Sequence, residues 1–434
     1  MTGEIRISPR EGLRGKIKVP GDKSIAHRAV MVASIATGRS EIIGFPENED
    51  CLSTIRIFQA LGVQIEITGD RLIINGKGLG GLSEPENVLD AGNSGTTLRL
   101  LLGILSGQDF CSIITGDESL RRRPMRRVVE PLSRMGAEII GRGEENLAPI
   151  AIKGKKLAPI NYLSPIASAQ VKSSILLAGL YAEGETSVEE PAKSRDHTER
   201  MLRLFGAEMK NDGLKVAVKG RAKLVGREFR IPGDISSASF FLVAAAILPN
   251  SEITITEVGI NPTRKAVLDV LEEMGVKVNL TNVREGIPEP VADITVRSAK
   301  PLKPVNLKGE MVIRIIDEIP ILTVVASLAD GESSILGAGE LRVKETDRIR
   351  ALRVNLTRLG VRVREVSDGL IIQGGSHLQE RDSLDSYGDH RIAMAMIIAA
   401  MASKKGATVL NTDCINTSFP QFMNILNTCN YSGG

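Results

Sequence analysis

Lys23, Ser24 and Arg28 stand at the head of an apolar, alanine-rich run, KSIAHRAVMVASIATG. A helix N-terminus presents unpaired N–H groups and the positive end of the helix dipole, so its first turn ordinarily favours Asp or Glu. Cations there cost stability unless an anion joins them. The chemistry this indicates is anion binding. The turn ahead of the run, VPGDKS (19–24), recurs as IPGDIS (231–236), where Ile235 and Phe240 take the places of Lys23 and Arg28. The first copy therefore reads as a site and the second as scaffold.

Further cations fall at comparable junctions. Arg123 precedes Pro124 in LRRRPMRR (120–127), a stretch expected to open a helix. Arg195 lies in SRDHTER, Lys344 and Arg348 flank Glu345 in RVKETDR, and Arg391 follows His390 in GDHR. Neutral donors come from GNSGTT (92–97), where Gly95 lets backbone approach a ligand, and from SAQ (168–170), with the Ser168 hydroxyl and the Gln170 amide. A charge-assisted hydrogen bond contributes about 1.5–3 kcal/mol, so such a set could hold two small, highly charged anions. Asp317 and Glu345 need a separate reason, because carboxylates among cations stay ionised unless buried. Proton transfer is one reading. The others are an ion pair with Lys344 or Arg348 for Glu345 and a helix N-cap for Asp317. Among His27, His197, His377 and His390 there is no HExxH-type pair, so no metal site is expected. His390 reads as structural. Neither a Ser-His-Asp elbow nor a Walker lysine motif is present.

The elements that must position these residues come from a repeat. Six helical runs of small apolar residues start at Lys23, Ser94, Ser168, Ser236, Asp317 and Asp389. β-rich runs follow, such as SEIIGF (40–45), CSIITG (111–116), SEITITEV (251–258) and ATVLNT (407–412). A second, amphipathic helix then closes on Gly62, Gly136, Gly206, Gly275 or Gly360, glycines that read as C-caps. In the sixth copy this helix, FPQFMNILNTC, has no such glycine. The period is roughly 70 residues, outside the ~20–50 of solenoids, so each unit can hold two helices and several strands. Six units divide into three and three. The expected fold class is α/β, with a middle domain spanning 21–233 and a second domain made of 1–20 plus 234–434. A small N-terminal strand belongs to the second domain.

Composition narrows the class. The 434 residues are 42% apolar and 25% charged, as in ordinary globular proteins, and too many for one core. Net charge is +3, and aromatics are 3%, which disfavours a nucleic-acid binder. The longest apolar runs, FFLVAAAIL (240–248) and IAMAMIIAAMA (392–402), fall short of the ~20 residues that span a bilayer. The opening residues, MTGEIRISPR, lack an apolar h-region, so no signal peptide is expected. Four cysteines without metal-ligand spacing suit a reduced, cytoplasmic setting.

PGDKSIAHRA (20–29), LDAGNSGTTLRLL (89–101), RRRPM (121–125), SAQVKSSILLAGL (168–180), SRDHTERM (194–201), DEIPIL (317–322), ELRVKETDRI (340–349) and GDHRIAMA (388–395) together resemble the 5-enolpyruvylshikimate-3-phosphate (EPSP) synthases, in their bacterial single-function form. The resemblance implies a two-domain inside-out α/β barrel, each domain of three βαβαββ-like repeats, with helix N-termini facing an interdomain cleft that holds the active site. It implies joining of shikimate 3-phosphate and phosphoenolpyruvate (PEP), with release of phosphate and no cofactor or metal. By this likeness Lys23 contacts both substrates. Ser24, Arg28, Ser168, Gln170 and Arg195 hold shikimate 3-phosphate, and Lys344 touches the shikimate moiety. Gly95, Arg123, Arg348 and Arg391 hold PEP, with Gln170 reaching it too. Glu345 protonates the PEP methylene carbon, and Asp317 takes the 5-hydroxyl proton. A monomer sensitive to the PEP mimic glyphosate is implied.

Two positions depart from the family pattern. Asn416 and Thr417 stand where some members carry a lysine, and Glu340 stands where an asparagine is frequent. The sister transferase acting on UDP-N-acetylglucosamine typically carries a cysteine in its arginine-containing loop, and TGDESLRRRPM has none. A non-catalytic ligand-binding relative could have lost Lys23, Asp317 or Glu345, and all three are present.

Overall fold

A computed structural model describes residues 3–286, 288–375, 377–379 and 382–429. The chain divides into two compact units. A middle unit comprises Gly21–Ile231 with Ile287–Glu289, and a split unit comprises Met1–Pro20, Pro232–Gly286 and Pro290–Gly434. Each has its own apolar core.

The middle unit contains helices α1 (Lys23–Ser34), α2 (Glu49–Ala60), α3 (Gly95–Leu105), α4 (Arg126–Arg134), α5 (Ala169–Gly179) and α6 (His197–Phe205). The split unit contains α7 (Ile235–Ile247), α8 (Ala266–Glu273), α9 (Glu310–Arg314), α10 (Ile319–Leu328), α11 (Arg348–Arg358), α12 (His390–Met401) and α13 (Phe422–Thr428). The six runs of small apolar residues are α1, α3, α5, α7, α10 and α12. None has a carboxylate in its first turn. Small side chains let these helices pack closely. At Gly103 in α3, a Cβ would lie 2.2 Å from the Ser174 carbonyl of α5. The paired amphipathic helices end as expected, with Gly62, Gly136, Gly206, Gly275 and Gly360 all at positive φ. Helix α9 had no counterpart in the expected repeat.

One sheet pattern recurs. In the second repeat, Leu89–Asp90 pairs parallel with Cys111–Thr115, which pairs antiparallel with Leu147–Lys153, and that strand with Glu138–Arg142. Alternation in Leu147–Lys153 buries Ala148, Ile150 and Ile152 under the helices and leaves the other face to solvent. The third and fifth repeats have the same order. The first takes its parallel edge strand from the end of its unit, Glu228–Arg230 against Thr37–Ile43. The N-terminal segment supplies two strands rather than one. Arg14–Ile17 completes the fourth repeat beside Glu252–Gly259, and Glu4–Ile7 closes the sixth beside Ala407–Leu410. Among the described residues no helix is long and apolar enough to cross a membrane.

Candidate active site

In the middle unit the expected residues gather at the starts of α1, α3, α5 and α6. Asp22 caps α1 by accepting from the Ile25 N–H at 3.0 Å, which makes Lys23 and Ser24 the first two residues of the helix. Lys23 Nζ lies 2.8 Å from Asp50 Oδ2 at the first turn of α2. Arg28 is buried one turn further on. It donates to the Ser24 carbonyl at 2.8 Å, to Thr198 Oγ1 at 2.6 Å and to Ser173 Oγ at 2.9 Å. Burial, and to a lesser degree the nearby Arg195 cation, lower its pKa to about 10, while Glu199 opposes the shift. Two mutually repelling arginines beside a helix entrance suit an anion.

Ser94 caps α3, placing Gly95 at its first position. A Cβ at Gly95 would lie 2.9 Å from Arg99 Nη1 and 3.4 Å from Arg123 Nη1, so the missing side chain leaves room for two guanidinium groups. Arg123 is fixed by the Asn93 side chain at 2.9 Å and Ser119 Oγ at 3.1 Å. LRRRPMRR opens a helix only at its last two residues: Leu120–Arg122 is a 3-10 turn and α4 begins at Arg126. Pro124 lies between the two, where its missing N–H would interrupt a continuous helix. Ser168 caps α5, and the Gln170 amide is clamped on both sides. Arg99 donates to its Oε1 at 2.9 Å, and its Nε2 donates to Thr96 Oγ1 at 3.1 Å.

In the split unit the expected residues form one ion cluster. Arg348, the first residue of α11 and only 1% exposed, has carboxylates on several sides. Its Nε donates to Asp389 Oδ2 at 2.7 Å, its Nη2 to Glu345 Oε2 at 2.6 Å, and its Nη1 lies 3.7 Å from Asp317 Oδ1. Burial alone would lower its pKa, but Asp389 and then Glu345 outweigh that and raise it. Arg391 donates to the Asp317 carbonyl at 2.9 Å and sits 3.8 Å from its carboxylate. Asp317 is therefore not the cap of α10; Glu318 holds that position without a side-chain cap bond. Lys344 Nζ lies 3.4 Å from Glu340 Oε1, so the residue replacing the family's asparagine holds the lysine. Burial lowers the Lys344 pKa, against the opposing effect of Glu340 and Asp317. The Glu345 and Asp317 side chains remain 17% and 16% exposed.

Sequence reasoning missed Asp50, Arg99, Asn93, Thr198 and Asp389. These residues hold the anticipated ones from other helices and turns. Only Arg99 carried a local signal, as a cation one turn into an otherwise apolar helix. Among the described residues no group of three or more His, Cys, Asp or Glu side chains is placed to hold a metal ion.

Repeated βαβαββ-like units whose central helices start without a carboxylate in the first turn define the class. The fold is that of the enolpyruvyl transferases, and the transferase NikO from Streptomyces tendae matches it over 98% of this chain and 96% of its own, at 18% identity and TM-score 0.79. The family model for EPSP synthase (3-phosphoshikimate 1-carboxyvinyltransferase) matches residues 7–426, and the chain belongs to that family. A 3-phosphoshikimate 1-carboxyvinyltransferase from Geotalea uraniireducens is 53% identical over 420 residues, covering 97% of both chains. The EPSP synthase structure from Acinetobacter baumannii is 44% identical, with TM-score 0.87 and 98% of both chains covered. The sugar-nucleotide acceptor is not favoured by these relatives.

Proposed function

We propose that this chain transfers the enolpyruvyl group of PEP to the 5-hydroxyl of shikimate 3-phosphate and releases phosphate. The observation that carries the chemistry is the pair Asp317 and Glu345, both set against the buried Arg348 guanidinium. A fixed cation between two carboxylates gives two proton carriers at a defined separation.

In this reading Glu345 delivers a proton to the PEP methylene carbon, and C2 becomes electrophilic. The 5-hydroxyl oxygen attacks C2 as its proton passes to Asp317. The resulting tetrahedral intermediate carries a methyl group; it loses phosphate as the bond from C2 to the phosphate oxygen breaks, and one methyl proton returns to the Glu345 carboxylate to restore the double bond. Arg348 and Arg391, with Gly95 and Arg123, serve PEP; their fixed charges stabilise the leaving phosphate without reorganising. Ser24, Arg28, Ser168, Gln170 and Arg195 grip shikimate 3-phosphate. Lys23 serves both substrates, and Gln170 reaches PEP as well. Lys344 contacts the shikimate ring. The same groups would accept glyphosate in place of PEP, and the enzyme would work as a cytoplasmic monomer.

The test is phosphate release from PEP with and without shikimate 3-phosphate. Release that requires both, matched by loss of PEP, is expected. Release without the acceptor, or binding of both substrates with no release, would refute the assignment.

A further inference from the structure

Behind Ser168, Arg195 and Arg28 lies a buried ion triad with no place in the reaction described. Lys172, Glu190 and Glu199 are 3%, 4% and 3% exposed. Lys172 Nζ lies 2.8 Å from Glu190 Oε2 and 2.9 Å from Glu199 Oε1. Burying three ions is expensive, and apolar residues of similar volume are often as stable there, so the triad invites a reason other than stability.

Its contacts supply one. Glu190 Oε1 accepts from the Ser168 backbone N–H at 3.0 Å, and Glu190 Oε2 accepts from Ser194 Oγ at 2.8 Å, next to Arg195. Glu199 sits in the first turn of α6 beside Thr198, the hydroxyl that receives Arg28 Nε. Ser173, the neighbour of Lys172, receives Arg28 Nη2 and bonds Thr198 Oγ1 at 2.6 Å. One ammonium thus ties together the α5 entrance, the 194–195 loop and the α6 first turn. Counting charges, Lys172 with two glutamates leaves one negative charge buried near Arg28, whose cation Glu199 supports.

We infer that Lys172 is a positioning residue for shikimate 3-phosphate: through Glu190 and Glu199 it sets the spacing of Ser168, Arg195 and Arg28 around the ligand's phosphate. The inference rests on the substrate assignment above. Its consequence is selective. Removing the ammonium loosens the grip on shikimate 3-phosphate and leaves the residues assigned to proton transfer, and those assigned to PEP alone, in place.

Steady-state kinetics and calorimetry on Lys172→Met and Lys172→Arg test this. For Lys172→Met we expect the KM and Kd for shikimate 3-phosphate to rise at least tenfold, with kcat and the KM for PEP changing less than threefold. Lys172→Arg, which restores a cation to both glutamates, should recover most of that loss. A folded Lys172→Met enzyme with a lower Tm and unchanged affinity for shikimate 3-phosphate would overturn the inference and leave Lys172 a structural residue. Should Lys172→Met fail to fold, Ser194→Ala breaks one arm of the network with a minimal change. A severalfold rise in the shikimate 3-phosphate Kd is expected there, and no rise would overturn the inference. Wild-type protein that binds no shikimate 3-phosphate, or whose binding survives Arg28→Ala unchanged, would instead refute the substrate assignment itself.

Discussion

Replacing Arg348 by methionine removes one buried guanidinium and leaves Asp389, Glu345 and Asp317 facing each other. Asp389 bears most of the cost. It is fully buried and loses two bonds from Arg348, at 2.7 and 3.3 Å, keeping only the N–H groups of Arg391 and Ile392 that it caps. Breaking a buried pair by removing one partner costs about 3–5 kcal/mol. Glu345 and Asp317 keep 17% and 16% of their side-chain surface exposed, so water offsets part of their loss. A loss of about 4 kcal/mol corresponds to a fall in Tm of roughly 8–16 °C for a unit of this size. The pH dependence is diagnostic. Without the cation three carboxylates crowd one site, and their mutual repulsion favours proton uptake by the folded protein. The folded variant then binds more protons than the unfolded chain as pH falls, and its deficit shrinks. Urea denaturation of both proteins at pH 8 and pH 5 reads this directly. A deficit below ~1 kcal/mol at pH 8, or one equally large at pH 5, would show that Arg348 does not hold the cluster as argued.

Lys344 loses its proton at a lower pH than an ordinary lysine because burial disfavours its charge. The kcat/KM for shikimate 3-phosphate should therefore fall on the alkaline side before pH 10.5, and Lys344→Arg should move that limb upward; an unmoved limb would count against Lys344 as its source. Glu345→Gln and Asp317→Asn should each lower kcat by roughly 10²–10⁴-fold, the usual range for a lost general acid or base. Only the first should also abolish solvent-deuterium entry at the PEP methylene carbon, and equal effects of both variants on that exchange would contradict the division of roles. His27 is fully buried, and burial, then Lys23 and Arg28, hold its pKa well below 6.5. Below pH 6.5 the unfolded chain binds a proton that the folded one refuses, so stability falls as pH drops; His27→Gln should flatten that slope between pH 6.5 and 5.5 by about 1 kcal/mol, measured by urea midpoints.

Much of this protein is legible in the sequence because it is local. Small apolar runs closed by glycine specify the helices, for packing small side chains and a positive-φ C-cap are properties of a few adjacent residues. The six central helices start within a residue or two of the positions their sequences indicate. Cations at those starts, against the preference of the helix dipole, mark Lys23 and Arg28 as candidate binding groups before any fold is known. What the chain could not show is which distant groups hold them. Asp50 on Lys23, Asp389 on Arg348, Thr198 on Arg28 and Arg99 on Gln170 are separated by 27, 41, 170 and 71 residues. The borrowed edge strands Glu4–Ile7 and Arg14–Ile17 are equally invisible, because a sheet partner some four hundred or two hundred residues away leaves no local pattern. The triad at Lys172 belongs to the same class. In sequence it is a polar interruption of an apolar helix, and only packing α5 against the 190–199 segment turns it into the ion network proposed to support the phosphate grip. Residue type and helix geometry determined which groups are candidates for binding. Long-range packing decided how firmly, and in what geometry, each of those groups is held.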